Sequence, residues 1–245
     1  MRGRGLFATA ALVCLLSAEA PAWADAPPYA TTDTDIADKL ELKSFLGSEA
    51  KNHWSANTLG FDLAIPLAPR WEMTVVPRLT AVDGRRRSMV GFGDTEIAVK
   101  YLTMSESASW PAIAIEPNLT LPTGSRHMGD GSIALQLPVL ISKGFGPWRL
   151  SGQFAFERDV MRARNDRAPL SLLLERTVTK NVTVGAEIAE SLSMRRPNQG
   201  QLETNIGAGW AIRDGLRLEA TIGRRLAGGG EPADVHSCLS LDIEL

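Results

Sequence analysis

Ser132-Ile133-Ala134-Leu135-Gln136-Leu137-Pro138-Val139-Leu140-Ile141-Ser142 sets Ile133, Leu135, Leu137, Val139 and Ile141 on one parity, against Ser132, Ala134, Gln136 and Ser142 on the other. Side chains on a strand alternate between two faces, so this stretch reads as a strand with an apolar side and a polar side. The same period runs through its neighbours. Leu59, Phe61, Leu63 and Ile65 share a face, with Gly60, Asp62 and Ala64 between them. Trp71, Met73, Val75 and Leu79 stand against Glu72 and Thr74, and Thr95, Ile97, Val99 and Tyr101 against Asp94, Glu96, Ala98 and Lys100. Near the C-terminus Leu239, Leu241, Ile243 and Leu245 alternate with Ser240, Asp242 and Glu244. No sustained helical period breaks the pattern.

Working outward gives twelve segments: Lys39–Leu46, Ala56–Ile65, Trp71–Val82, Gly91–Thr103, Trp110–Leu121, Ser132–Ser142, Trp148–Glu157, Pro169–Val178, Val182–Glu190, Gln201–Ile212, Leu216–Leu226 and His236–Leu245. Most run to about 10 to 12 residues, close to the length a tilted strand needs to cross a bilayer and about twice the usual soluble strand. The connections alternate in length. Pro66–Arg70, Met104–Ser109, Lys143–Pro147, Thr179–Asn181 and Arg213–Gly215 are short, whereas Gly47–Ser55, Asp83–Val90, Pro122–Gly131, Arg158–Ala168, Ser191–Gly200 and Ala227–Val235 are longer. Outer-membrane barrels have short periplasmic turns and longer external loops. The expected fold class is therefore all-β, an antiparallel transmembrane β-barrel of about twelve strands with both ends in the periplasm. Pro77, Pro117 and Pro138 fall inside proposed strands, where each withholds a ladder donor and predicts a bulge or a local break.

Composition agrees. The 245 residues are 44% hydrophobic and 22% charged with a formal net charge of -2, which excludes a disordered chain and gives nucleic acid no basic face. No apolar run reaches the roughly 18 residues of a spanning helix. At the N-terminus Arg2 and Arg4, the apolar run Leu6–Ala18 and Ala22-Trp23-Ala24 follow the order of a secretory signal peptide, with cleavage expected after Ala24. Residues 25–38, with Pro27, Pro28 and several Thr and Asp, read as a flexible periplasmic lead-in, and 39–245 as the barrel. Cys238 is the one cysteine beyond the leader, so no internal disulfide is available there.

Gly91-Phe92-Gly93-Asp94 leading to Lys100-Tyr101, Leu119-Thr120-Leu121-Pro122-Thr123-Gly124, Gly131-Ser132, and Ser142-Lys143-Gly144-Phe145-Gly146 followed by Trp148 come in a definite order. Over roughly Thr58 to Leu226 that order resembles the outer-membrane proteins of the phenol-degradation MetA-pathway family. The resemblance implies a barrel that passes small compounds, aromatic or apolar ones among them. One departure is the terminal Leu245, where such barrels generally carry an aromatic for the barrel-assembly machinery, an expected partner.

The polar parity supplies the expected lumen. Asp94, Glu96, Lys100, Glu116, Arg149, Glu157, Arg217 and Glu219 are its candidate lining residues, with Lys100, Glu116 and Arg149 as one expected network and Arg217 with Glu219 as another. Acids outnumber bases on this face, which permits either cross-paired charges or a cation-favouring pore. Trp71, Tyr101, Trp148 and Trp210 all fall at the short-turn level with apolar parity, as a periplasmic aromatic girdle would. Trp110 shares that level but has polar parity, which calls for a bulge. Arg85, Arg86, Arg87, Arg126, Arg162, Arg164, Arg167, Arg195 and Arg196 crowd the longer connections. They suit the phosphates of lipopolysaccharide, the second expected partner beside outer-membrane lipid. His53, His127 and His236 show no metal-ligand spacing, and no serine motif accompanies His236. No enzyme activity and no cofactor are expected. The alternative to a conduit is a closed barrel with a structural or surface-binding role, its lumen filled by charged networks or by residues 25–38.

Overall fold

The computed structural model describes residues 28–51, 54–84, 87–161, 166–194, 200–228 and 235–245. The predicted leader lies outside them. In chain order the strand segments are β1 (Glu41–Lys51), β2 (Trp54–Ala68), β3 (Trp71–Val76), β4 (Arg78–Gly84), β5 (Arg87–Phe92), β6 (Thr95–Met104), β7 (Ala112–Ile115), β8 (Asn118–Leu121), β9 (Ala134–Phe145), β10 (Trp148–Asp159), β11 (Arg167–Thr179), β12 (Val182–Ser193), β13 (Gln201–Arg213), β14 (Leu216–Ala227) and β15 (Val235–Glu244). All pairings are antiparallel, and β15 returns to β1 from Glu41↔Glu244 to Ala50↔Val235. Among the described residues β1 joins β2 by one register pair, Lys51↔Trp54. Below it the Phe45 ring lies against Gly60, where any side chain would collide with the ring. The result is a closed twelve-strand barrel.

Twelve walls come from fifteen segments because three walls are interrupted. Pro77 separates β3 from β4, Gly93-Asp94 separates β5 from β6, and Glu116-Pro117 separates β7 from β8. The breaks are local. Phe61 N–H still donates to the Pro77 carbonyl at 3.2 Å, Val99 N–H to that of Pro117 at 3.1 Å, and Glu116 N–H to that of Pro138 at 3.2 Å. A proline lacks only the donor, so each wall carries on past it.

Alternation decides which side faces what. Along β9, Gln136 is 2% exposed while Leu137 beside it is 48% exposed. Apolar residues outside and polar ones inside invert the soluble pattern, as a lipid-facing barrel requires. Inside lie Asp62, Glu72, Glu96, Lys100, Glu116, Gln136, Gln153, Glu187, Glu203, Asn205 and Glu219, all buried.

Two loop expectations need correction. Among the described residues β1 runs to Lys51 and β2 starts at Trp54, and β4 runs to Gly84 and β5 starts at Arg87, so most of Gly47–Ser55 and Asp83–Val90 is strand rather than loop. Their polar residues extend the strands beyond the apolar band, since the ladder keeps satisfying the backbone in water. The remaining connections on that side, 122–133, 160–166, 194–200 and 228–234, stay long. Trp110 needs no bulge of its own, because it sits exposed in the turn before β7. The irregularity falls instead between Leu102 and Met104, where β6 pairs with β7.

Candidate functional site

Residues 28–38 lie where the closed-barrel alternative put them, inside the lumen, rather than as a free lead-in. They run inside the barrel as a strap, with Pro28, Tyr29, Thr31, Thr34 and Ala37 buried. At the Ala37 end, its N–H donates to Glu72 Oε2 at 2.7 Å, and Lys100 Nζ donates to the Asp35 carbonyl at 3.3 Å. Arg149 pairs with Asp35 at 2.8 Å. At the other end Thr221 Oγ1 donates to the Pro28 carbonyl at 2.9 Å, and Thr32 N–H to Gln153 Oε1 at 3.0 Å. The strap thus spans from β3 and β6 to β10, β12 and β14.

Its tightest attachment is the Glu187 carboxylate. Oε1 accepts from Thr31 N–H and from Thr31 Oγ1, each at 2.6 Å, and Oε2 accepts from Ala30 N–H at 3.1 Å. Asn205 Nδ2 adds a bond to Oε2 at 2.6 Å. Ser171 Oγ lies 2.8 Å from Thr31 Oγ1. A buried carboxylate with several donors has its lone pairs filled without a cation beside it. Beyond Asn205, His236 Nε2 comes within 2.5 Å of Asn205 Oδ1, a structural setting for this histidine.

Tyr29 fits the wall itself. Gly185 and Gly207 are register partners on the inner face of β12 and β13. A Cβ on either would lie 2.6 Å from Tyr29 Oη. Burial first, then the charges of Glu175, Glu219 and Glu187, push the Tyr29 phenol above its ordinary value, so it stays neutral.

The other lumen charges pair, most of them across strands and Arg217 with Glu219 along β14. Lys100 Nζ is 3.5 Å from Glu72 and 3.6 Å from Glu116. Arg78 holds Glu96, and Arg225 holds Glu203 at 3.1 Å. Lys43 reaches Glu219 at 3.5 Å and Asp242 at 3.7 Å, while Arg217 reaches Glu219 at 2.7 Å. Of the expected network, Lys100 and Glu116 come together. Arg149 goes to the strap instead, a partner that strand parity could not reveal.

Glu157 is half-buried on β10 opposite Gln136 of β9, with one carboxylate oxygen buried and unpaired. Asp94 is placed differently from expectation. It sits at the β5–β6 break, and its carboxylate accepts from Gly124 N–H at 2.8 Å and Asp130 N–H at 2.7 Å. It therefore ties down the 122–131 loop rather than lining the lumen. This role follows from the break, which frees a short acidic side chain to fold onto the loop backbone.

At the short-turn end Trp71 and Tyr101 are register partners whose rings stack at 4.3 Å. The Arg176 guanidinium covers the Trp148 ring at 5.1 Å, and Trp210 is exposed near the end of β13. Of the nine arginines, Arg126 is exposed on its loop and Arg167 is half-buried at the start of β11. Arg85, Arg86, Arg162, Arg164, Arg195 and Arg196 lie outside the described residues, as does the side chain of Arg87.

A family model described as "Putative MetA-pathway of phenol degradation" matches residues 26–231. The chain belongs to this family. The match covers the whole strap and runs past the end of β14, so the strap is part of what the family model describes. Among solved structures, the COG4313 outer membrane channel from Pseudomonas putida F1 is 12% identical with a TM-score of 0.70, over 90% of this chain and 100% of that one. The KdgM porin in complex with disordered oligogalacturonate is 9% identical with a TM-score of 0.60, over 84% and 99%. The NanC porin is 8% identical with a TM-score of 0.59, over 83% and 100%. At these identities the likeness is one of fold, that of a closed antiparallel barrel. None of the curated proteins matches the chain.

Proposed function

We propose that this outer-membrane barrel passes small compounds across the membrane through a lumen that residues 28–38 keep narrow. The observation that carries this reading is the strap, a continuous segment bonded to opposite walls by at least one buried partner on each. A barrel whose only task was structural could fill its lumen with fixed side chains. Here a chain segment does so through hydrogen bonds and an ion pair, with no covalent link to the wall, which suits an element that can leave.

The porin and channel structures sharing this fold support the reading, as does the family. Because most lumen carboxylates are paired, the acidic face gives weak cation preference rather than a strong charge filter. The arginines of the long loops serve to hold lipopolysaccharide phosphates, and the stacked aromatics mark the periplasmic rim. Catalysis has no place in this scheme.

A closed barrel without an open pore is the second reading, favoured by the same strap if it never leaves. Planar-bilayer recording separates the two. The proposal expects small unitary currents with slight cation preference under a salt gradient, and larger currents when Glu187→Gln weakens the strap. A folded barrel, identified by its unheated gel mobility, that passes no current in either form would contradict it.

A further inference from the structure

Arg176 points away from the lumen. Leu174 and Val178, which share its parity on β11, are 43% and 55% exposed, whereas Ser171 and Leu173 on the other parity are buried. Its register partners are Trp148 on β10 and Val184 on β12, and the row continues to Phe145 on one side and Ala208 on the other. Arg176 is the one charge in that row, on a face otherwise built for lipid. An outward-facing cation is costly in hydrocarbon and tolerated only near the interface.

The side chain is nonetheless held in place. Its guanidinium lies over the Trp148 ring, 5.1 Å from the centroid. That contact uses the flat face of the group and leaves its N–H edge open. Among the described residues no carboxylate or carbonyl takes those donors. The ring is fixed in turn. Gly146 adopts a φ of 61°, the left-handed conformation that closes the turn, and Thr177 N–H donates to the Pro147 carbonyl at 2.8 Å. The hairpin before Trp148 is thereby tied to β11 beside Arg176. Lys180, exposed in the next turn, is a second cation with no acid partner among the described residues.

The chemistry of the place defines what fits it. The open N–H edge is a fork that matches a phosphate through two parallel bonds. Phe145, Val178 and Val184 around it are exposed and apolar, so they suit acyl chains rather than water. Arg176 and Lys180 favour a headgroup of net negative charge over a zwitterionic one. The level agrees, because Trp148 stands at the short turns, and the short turns of outer-membrane barrels face the periplasm.

We propose that Arg176, stacked on Trp148 and backed by Lys180, is a binding site for the phosphodiester headgroup of an anionic glycerophospholipid in the periplasmic leaflet. The phosphate takes the edge of the guanidinium, and the acyl chains lie along Val184 on one side and Phe145 on the other. One lipid so bound bridges the ends of β10 and β11 and sets the depth of that edge in the membrane. The side of the membrane rests on the outer-membrane reading above, whereas the site itself is independent of passage through the lumen.

The test is native mass spectrometry of the folded full chain in detergent, offered equal amounts of phosphatidylglycerol and phosphatidylcholine with identical acyl chains. The parent protein should carry phosphatidylglycerol in preference. Arg176→Gln should lower the bound ratio about fivefold, the worth of one cation at a membrane surface. Arg176→Lys and Trp148→Leu should each lower it about twofold, since one keeps the charge without the fork and the other keeps the fork without its platform. Arg70→Gln, which removes an exposed arginine from another short turn, should leave the ratio as it was. Unheated gel mobility confirms that each variant folds. A ratio unchanged by Arg176→Gln would overturn the proposal, and so would an equal fall with Arg70→Gln, which is general attraction to the rim. Displacement of the lipid by excess glycerol phosphate would also overturn it, as the mark of a free-anion site. Conductance plays no part in this readout, so failure here leaves the channel reading as it stands.

Discussion

The two sides of this barrel are built to different rules. From β10 to β15 the walls are uninterrupted, and β12 and β13 carry a glycine pair on the inner face. From β3 to β8 the walls break three times, at Pro77, at Gly93-Asp94 and at Glu116-Pro117. The regular side holds the strap head with a glycine floor and the neutral donors around Glu187. Charge pairs stand on both sides, Arg225 with Glu203 and Arg217 with Glu219 on the regular one, but beside the breaks they are Lys100 with Glu72 and Glu116 and Arg78 with Glu96. Regular backbone allows side chains to be left out, so the Tyr29 ring can approach it. Broken backbone needs strong local pairs to hold the register across each gap, because a missing ladder donor weakens it there.

Removing the central cation should break that contrast most. Lys100→Met leaves Glu72 and Glu116 buried without their partner, and loss of one member of a buried pair costs about 3 to 5 kcal/mol. The midpoint for loss of unheated gel mobility should fall far more than for any change on the regular side. Glu187→Gln comes next. It keeps an acceptor but removes the charge, so the strap should loosen by about 1 to 3 kcal/mol while the barrel keeps its melting midpoint. Faster amide exchange at Thr31 and Thr32, with the sheet unchanged, would show this.

Pro77→Ala sharpens the comparison from the other direction. The break is already accommodated and the Pro77 carbonyl keeps its bond to Phe61, so the change in stability should stay below about 1 kcal/mol. A large loss would mean that the broken side depends on the prolines themselves. The smallest effect belongs to a turn outside both walls. Hydrogen bonds from Lys143, then from Gly144 N–H, hold the Glu106 carboxyl below its ordinary value. Its folded form is thus favoured above the unfolded carboxyl range near pH 4, and that contribution is lost as pH falls through the lower folded value. Glu106→Gln should remove this slight contribution at neutral pH and flatten its loss in acid, so that the two proteins converge in stability well below about pH 4.

Much of the architecture was legible because a strand period of two survives every loop. The segment from Ser132 to Ser142 shows both faces without ambiguity, and β9 follows it closely. Asp94 was misread because parity assumes an unbroken wall, and the break beside it turns its side chain to the loop. The strand ends at Lys51, Trp54, Gly84 and Arg87 were read as loop because polar residues end the apolar pattern before the ladder ends. The strap left the faintest trace. Tyr29 is one of only two tyrosines, followed at once by Ala30, Thr31 and Thr32, whose amide and hydroxyl groups are short-range donors. Inner-parity glycines at 185 and 207 were the other half of the signal, but nothing in a linear pattern pairs residues 156 positions apart.

The central claim is that the strap leaves its seat when solute passes. Thr31 Oγ1 and Ser171 Oγ are 2.8 Å apart, close enough for paired thiols to join with little movement. Thr31→Cys with Ser171→Cys, in a Cys238→Ser background, would pin the strap when oxidised and free it when reduced. Single-channel current should be near zero in the oxidised protein and rise on adding reductant to the same bilayer. Equal current before and after reduction would contradict the account.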